Sequence, residues 1–227
     1  MIVKRSQSEK ELLDFRRKLR ETPDDVEALA EFASLYVETG RLADAVVVLQ
    51  QLLARSPRNI RAMLMCGACY RRLGLLESAA TAFERAARTD PQSAPARYNL
   101  GWVYDLMGRY EDAVEQHARA IDMAPDDPET HYRMGVTHAR HEEFERAAAC
   151  YARAVEADYS CAKAHTNLGY TLDRLGRTDE AILEFKRAIE IDPENAERHL
   201  NLGAIYGEKG MLADAIEDFR RAVMIAP

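Results

Sequence analysis

A spacing of 34 residues governs this chain. NLGWVYDLMGRYEDA, at residues 99–113, returns as NLGYTLDRLGRTDEA at 167–181 and as NLGAIYGEKGMLADA at 201–215. The same interval aligns Ala33 with Gly67, Gly101, Gly135, Gly169 and Gly203. A second column is alanine at 45, 79, 113, 147, 181 and 215, and a third holds Leu49, Phe83, His117, Tyr151, Phe185 and Phe219. In a fourth, Leu52 precedes Ala86, Ala120, Ala154, Ala188 and Ala222. The units close on Pro57, Pro91, Pro125, Tyr159, Pro193 and Pro227. Self-similarity at this period marks a repeat architecture, in which each unit buries its apolar face only by stacking on its neighbours.

These columns resemble the tetratricopeptide repeat family, whose 34-residue unit places Leu-Gly and Tyr in one helix, then Ala and Phe in a second, then Pro. The resemblance covers six units, 26–59, 60–93, 94–127, 128–161, 162–195 and 196–227, without insertion or deletion. It implies an all-α fold, a right-handed α-solenoid of antiparallel helix-turn-helix repeats. The columns also make physical sense on their own. Small residues at the eighth and twentieth places let two antiparallel helices approach, and larger side chains at the eleventh and twenty-fourth fill the space beside them. Glycine at the fifteenth place (Gly40, Gly74, Gly108, Gly176 and Gly210) suits the turn between helices, and the closing proline stops the second.

Residues 1–25 share the register, with Phe15 on the aromatic column and Pro23 on the closing column, so they read as an N-terminal capping helix, half a repeat. Nothing in the sequence follows the helix that carries Ile216, Phe219 and Val223. Terminal repeats need a polar outer face. Further chain, or another subunit, is therefore expected to cover this end.

Composition narrows the partners. A formal net charge of −7 argues against nonspecific nucleic-acid binding. The opening MIVKRS lacks the apolar core of a secretory signal, and no run is long enough to insert in a membrane, so a cytoplasmic location is expected. Four cysteines in such a chain read as reduced thiols. Cys66 and Cys69 do form a C-x-x-C pair, but they occupy the seventh and tenth places, where other units carry Phe, Leu, Met, Val, Ile or Thr, and no βαβ context surrounds them. They read as core.

His131, His165 and His199 share the fourth place, one repeat apart and too distant to hold a metal together. His138 and His141 lie at H-x-x-H spacing rather than the i, i+4 of a helical zinc pair. No metal, cofactor or catalytic residue is expected. The phosphate-binding, dinucleotide-binding and nucleophile-elbow motifs are missing from the sequence, and six repeats leave no residues for a catalytic domain. The chain is read as a non-enzyme.

In the family, the concave face is lined by the first helix of each unit, mainly at the second, fifth, sixth, ninth, twelfth and thirteenth places. Over repeats two to five those places carry seven basic and three acidic side chains, a local excess against the negative whole. Tyr98, Trp102, Tyr132 and Tyr170 lie among them and would receive apolar anchors. Arg61, Arg72, Arg133, Arg140, Lys163 and Arg174 would favour acidic residues. Asn99, Asn167 and Asn201 share the sixth place and resemble the peptide-contacting asparagines of the family, since an amide both donates and accepts toward a backbone. The co-chaperone members that grip a C-terminal carboxylate use Lys and Asn, then Asn, then Lys and Arg. This chain has Leu64 and Ala68, then Asn99, then Glu129 and Arg133 at those places, a poor match.

The reading is a non-catalytic protein-protein interaction module that binds a protein or peptide ligand, as an extended peptide or a helix, acidic with apolar anchors, in its concave groove. Two alternatives are a scaffold that self-assembles into a homo-oligomer and the targeting part of a larger enzyme continuing after residue 227. Repeat four carries His138 for Tyr, Glu142 for the turn glycine and Tyr159 for the closing Pro, so local stability is expected to dip there.

Overall fold

A computed structural model describes residues 25–226, so the expected capping helix lies outside the described residues except for Asp25. Among the described residues there are twelve α-helices and no strand. Each repeat opens with a helix of 13 residues and continues with one of 14. They are α1 (Val26–Glu38), α2 (Leu42–Arg55), α3 (Ile60–Arg72), α4 (Leu76–Thr89), α5 (Ala94–Leu106) and α6 (Tyr110–Met123). A second set comprises α7 (Pro128–Arg140), α8 (Phe144–Ala157), α9 (Ala162–Arg174), α10 (Thr178–Ile191), α11 (Ala196–Glu208) and α12 (Leu212–Ile225). Two compact units divide between Met123 and Ala124. Within the first, each first helix packs on its own second helix, and α2 and α4 pack on α3 and α5. The second repeats the scheme, with α8 on α9 and α10 on α11. Within each unit, helices adjacent in sequence thus lie side by side, as the stacked-hairpin expectation requires.

Capping chemistry explains where these helices start and stop. Asp25, Asn59, Ser93, Asp127 and Asn195 precede first helices, and each side chain accepts backbone N–H bonds from the opening turn. At α9 the position belongs to Cys161, which makes no side-chain cap bond. First helices end in a Schellman turn, in which a left-handed residue lets two N–H groups bond back to the last carbonyls. In the first hairpin the Arg41 N–H donates to the Tyr36 carbonyl at 2.8 Å and the Gly40 N–H to Val37 at 3.1 Å. Gly40 has φ 74°, and Glu142 takes the same place in repeat four with φ 59°. The turn therefore survives without glycine, at the cost of holding a side chain in the left-handed region.

Packing inside a hairpin pairs the eighth place with the twenty-fourth. A Cβ on Gly67 would stand 2.7 Å from the ring of Phe83, and one on Gly135 would stand 2.7 Å from the ring of Tyr151. Ala33 is tolerated in repeat one because Leu49, not a ring, fills the facing place, and both are fully buried. Cys66 and Cys69 are buried in the same layer, and desolvation pushes the Cys66 thiol up to about 11. Such a thiol stays protonated and inert.

The fourth-place histidines are buried, and hydrogen bonds hold them as well as packing. His165 Nδ1 lies 2.6 Å from the Glu184 carboxylate on α10, and its Nε2 lies 3.1 Å from the Tyr159 carbonyl. One repeat on, His199 Nδ1 lies 2.8 Å from Asp218, and in repeat three Arg97 donates to Gln116 from the same pair of places. A polar cross-link between the fourth and twenty-third places thus recurs where both residues are polar. Among the described residues no His, Cys, Asp or Glu cluster is arranged to hold a metal. On α12, Ile216, Phe219 and Val223 are exposed, whereas Phe185, one unit earlier, is fully buried in the cluster that includes Leu202 and Ile205 of α11.

Candidate peptide-binding site

The first helices carry the expected site residues, and the two units use them differently. In the first unit the Tyr98 and Trp102 rings on α5 lie 6.1 Å apart, and the Arg71 guanidinium on α3 sits over the indole at 3.4 Å. A cation stacked on an aromatic face is fixed in place. Arg61 and Arg72 are exposed on α3. Asn99 turns its amide back along its own helix and donates to the Pro95 carbonyl at 2.8 Å.

In the second unit Asn167 makes a different choice. Its Nδ2 donates across to the Tyr132 hydroxyl on α7 at 3.2 Å, and lies 3.5 Å from the Tyr151 hydroxyl on α8. Burial raises the Tyr151 phenol well above its ordinary value, so the hydroxyl remains a neutral hydrogen-bonding group. Asn201 on α11 is half-buried, and its Nδ2 is enclosed with no hydrogen-bond partner among the described residues. The three asparagines of one column therefore occupy three environments.

Glu129 links two of the expected cations. Lys163 Nζ lies 2.6 Å from its carboxylate, one repeat away on α9, and Arg133 Nε lies 3.1 Å from it on the same helix. Lys163 also sits 4.4 Å above the Tyr132 ring. This cluster of Glu129, Tyr132, Arg133 and Lys163 is partly neutralised from within. The sequence count of basic groups therefore overstates the field that a ligand meets there.

Beside it, a cleft of about 380 Å³ opens between α7 and α9, and its lining includes Arg140, Asn167, Tyr170 and Arg174. Val136 and Ala139 form part of its wall, and Phe144 and Tyr151 of α8 complete the apolar surface. Arg174 lies over the Phe144 ring at 4.6 Å, while Tyr170 meets Phe185 edge-on at 5.1 Å and is 42% exposed. The Tyr170 ring is thus held by the core on one side and open to a ligand on the other. Four expected residues converge here. Phe144 and Tyr151 lie on a second helix, outside the first-helix places by which the sequence locates the groove. The available signal was a hydroxyl-bearing ring on the aromatic column, one repeat before an asparagine.

Among the described residues no helix is long and apolar enough to cross a membrane. Family models for the tetratricopeptide repeat match residues 30–94, 70–128 and 132–196, and a second such model matches 184–217. No curated protein matches. Among solved structures, MamA is 25% identical over 70% of this chain and 93% of its own, with a TM-score of 0.66. The TPR protein YrrB, described as having an unusual peptide-binding site, is 23% identical over 79% of this chain and 92% of its own, at 0.60. Cut9, from the Cut9–Hcn1 hetero-tetramer of the APC/C, is 18% identical, covers 97% of this chain with 44% of its own, and scores 0.75. Matched over most of its length and built of stacked hairpins in the same register, the chain is a protein-interaction module that belongs to the tetratricopeptide repeat family.

Proposed function

We propose that this module is non-catalytic and holds an extended, acidic peptide with apolar anchors against the first helices of its repeats. The observation that carries this reading is the cleft between α7 and α9, where Arg140, Asn167, Tyr170 and Arg174 line one apolar-floored recess. Aromatic and arginine side chains supply most binding energy at interfaces, because they bury large areas at low entropic cost. In the first unit, Trp102 with Arg71 stacked on it offers the same combination. YrrB lends support as a relative in fold whose structure is described by its peptide site.

Screening the whole chain against immobilised acidic peptides, followed by titration of the best binder, tests the reading. Arg133→Glu and Asn167→Ala are each expected to weaken that binder, and raising salt to weaken it further, as charge-steered association does. Unchanged affinity in both variants would refute the assignment. Self-assembly is a second reading, favoured by the exposed Ile216, Phe219 and Val223 of α12. Light scattering that shows a monomer at every concentration would exclude it.

A further inference from the structure

The cleft between α7 and α9 has more specific chemistry than a generally basic groove. Its lining is mostly apolar, with rings from Phe144, Tyr151 and Tyr170, and it includes two guanidinium groups and no carboxylate. The two cations belong to opposite walls, Arg140 to α7 and Arg174 to α9. Asn167 spends its amide N–H on the tyrosine hydroxyls. Its Oδ1 accepts no hydrogen bond among the described residues, and so can take a backbone N–H from a bound strand.

Resting on the peptide-binding reading above, we propose that this cleft selects one aromatic side chain flanked on both sides by carboxylates. An extended peptide crossing from α7 to α9 meets Arg140 before its anchor and Arg174 after it. The anchor enters among rings, where an aromatic gains offset or edge-on contacts that an aliphatic does not. Arg174, already lying over Phe144, is preorganised to receive the second carboxylate at little entropic cost. Selection of this kind resides in the second unit alone.

Fluorescence anisotropy of the whole chain with acetylated, amidated heptapeptides tests the proposal. The central residue is Phe, Trp, Leu or Ala, and its neighbours are Asp, Ser or Lys. Asp-flanked Phe or Trp is expected to bind at least about tenfold tighter than the Ala-centred or Lys-flanked peptides, the margin that one good contact supplies. Tyr170→Ala is expected to erase the preference for an aromatic. Arg174→Glu is expected to reverse the charge preference at one flank and recover binding of a peptide carrying Lys there, which misfolding could not do.

Binding that ignores both centre and flank overturns this proposal and leaves the peptide-binding reading standing. So does a preference that survives Tyr170→Ala and Arg174→Glu but is lost in Trp102→Ala, which would place selection in the first unit. No binding by any peptide of the set overturns this proposal. If the screen of immobilised acidic peptides is also blank, the peptide-binding reading falls with it.

Discussion

A Cβ placed on Gly67 would stand 2.7 Å from Cε1 and Cζ of Phe83 and 2.9 Å from Cδ1. Phe83 is 0% exposed, so its ring cannot swing into solvent to make room. Gly67→Ala therefore forces either an off-rotamer ring or a separation of α3 from α4, and overpacking of this kind costs about 1–3 kcal/mol. Alanine returns about 1 kcal/mol through its better helix propensity, leaving a net loss of about 0–2 kcal/mol. For a chain of this size that lowers Tm by up to about 8 °C. Gly207, inside α11, provides the internal contrast, since a Cβ there would meet nothing within 4 Å. Gly207→Ala is expected to raise Tm by about 2–4 °C, the propensity gain alone. Repeat one points to the rescue, because Ala33 faces Leu49 there. In a Phe83→Leu background, Gly67→Ala should become neutral or stabilising. Thermal unfolding followed by circular dichroism reads the wild type, the two single glycine variants, Phe83→Leu and the double variant, and amide exchange in α3 and α4 localises the effect. Stabilisation of the single variant to the same degree as Gly207→Ala would refute the claim that the eighth place is small because a ring faces it.

Glu142 holds φ 59° at a turn where the other hairpins of the described residues use glycine. Glu142→Gly should stabilise repeat four by about 1 kcal/mol, visible as slower amide exchange in α7 and α8. Cys161 caps α9 without a side-chain bond, so Cys161→Asn should add about 1 kcal/mol and raise Tm by a few degrees. Burial lowers the His138 imidazole below its ordinary range, against the opposing pull of the Glu143 carboxylate beside it. The unfolded chain then takes up that proton first, so stability is whole above about pH 6.5 and is lost as pH falls from there through the lowered value. The protection of α7 amides, taken relative to the intrinsic exchange rate at each pH, should fall as pH drops from about 7.5 to about 5.5, and His138→Tyr, the residue common at this place, should flatten the dependence.

Much of this architecture was legible because it is local. Helix starts at 26, 60, 94, 128, 162 and 196 follow from cap residues and from the interval between them. Glycine at the fifteenth place announced the Schellman turn, and the reading of Cys66 and Cys69 as core needed only their column. The candidate site was legible by position and not by contact. Arg140, Asn167, Tyr170 and Arg174 hold groove places in the sequence and line one cleft, yet Asn99 and Asn167, alike in the sequence, donate to different groups. The difference lies outside their own helices. Asn167 finds Tyr132 one repeat before it and Tyr151 on the helix between, whereas Asn99 turns back to its own backbone.

The amino-acid order by itself determined the period, the hairpins, the turns and which faces are apolar, since each depends on dihedral preferences and on spacings within one helix or one repeat. Tertiary structure decided how charge and amide groups are spent. Glu129 neutralises Lys163 across 34 positions, Arg174 lies on Phe144, and His165 is tied to Glu184 on the next helix. Those contacts join rotamers on separate helices, and hydrogen bonds form or fail over a few tenths of an ångström. A linear pattern carries no information at that scale.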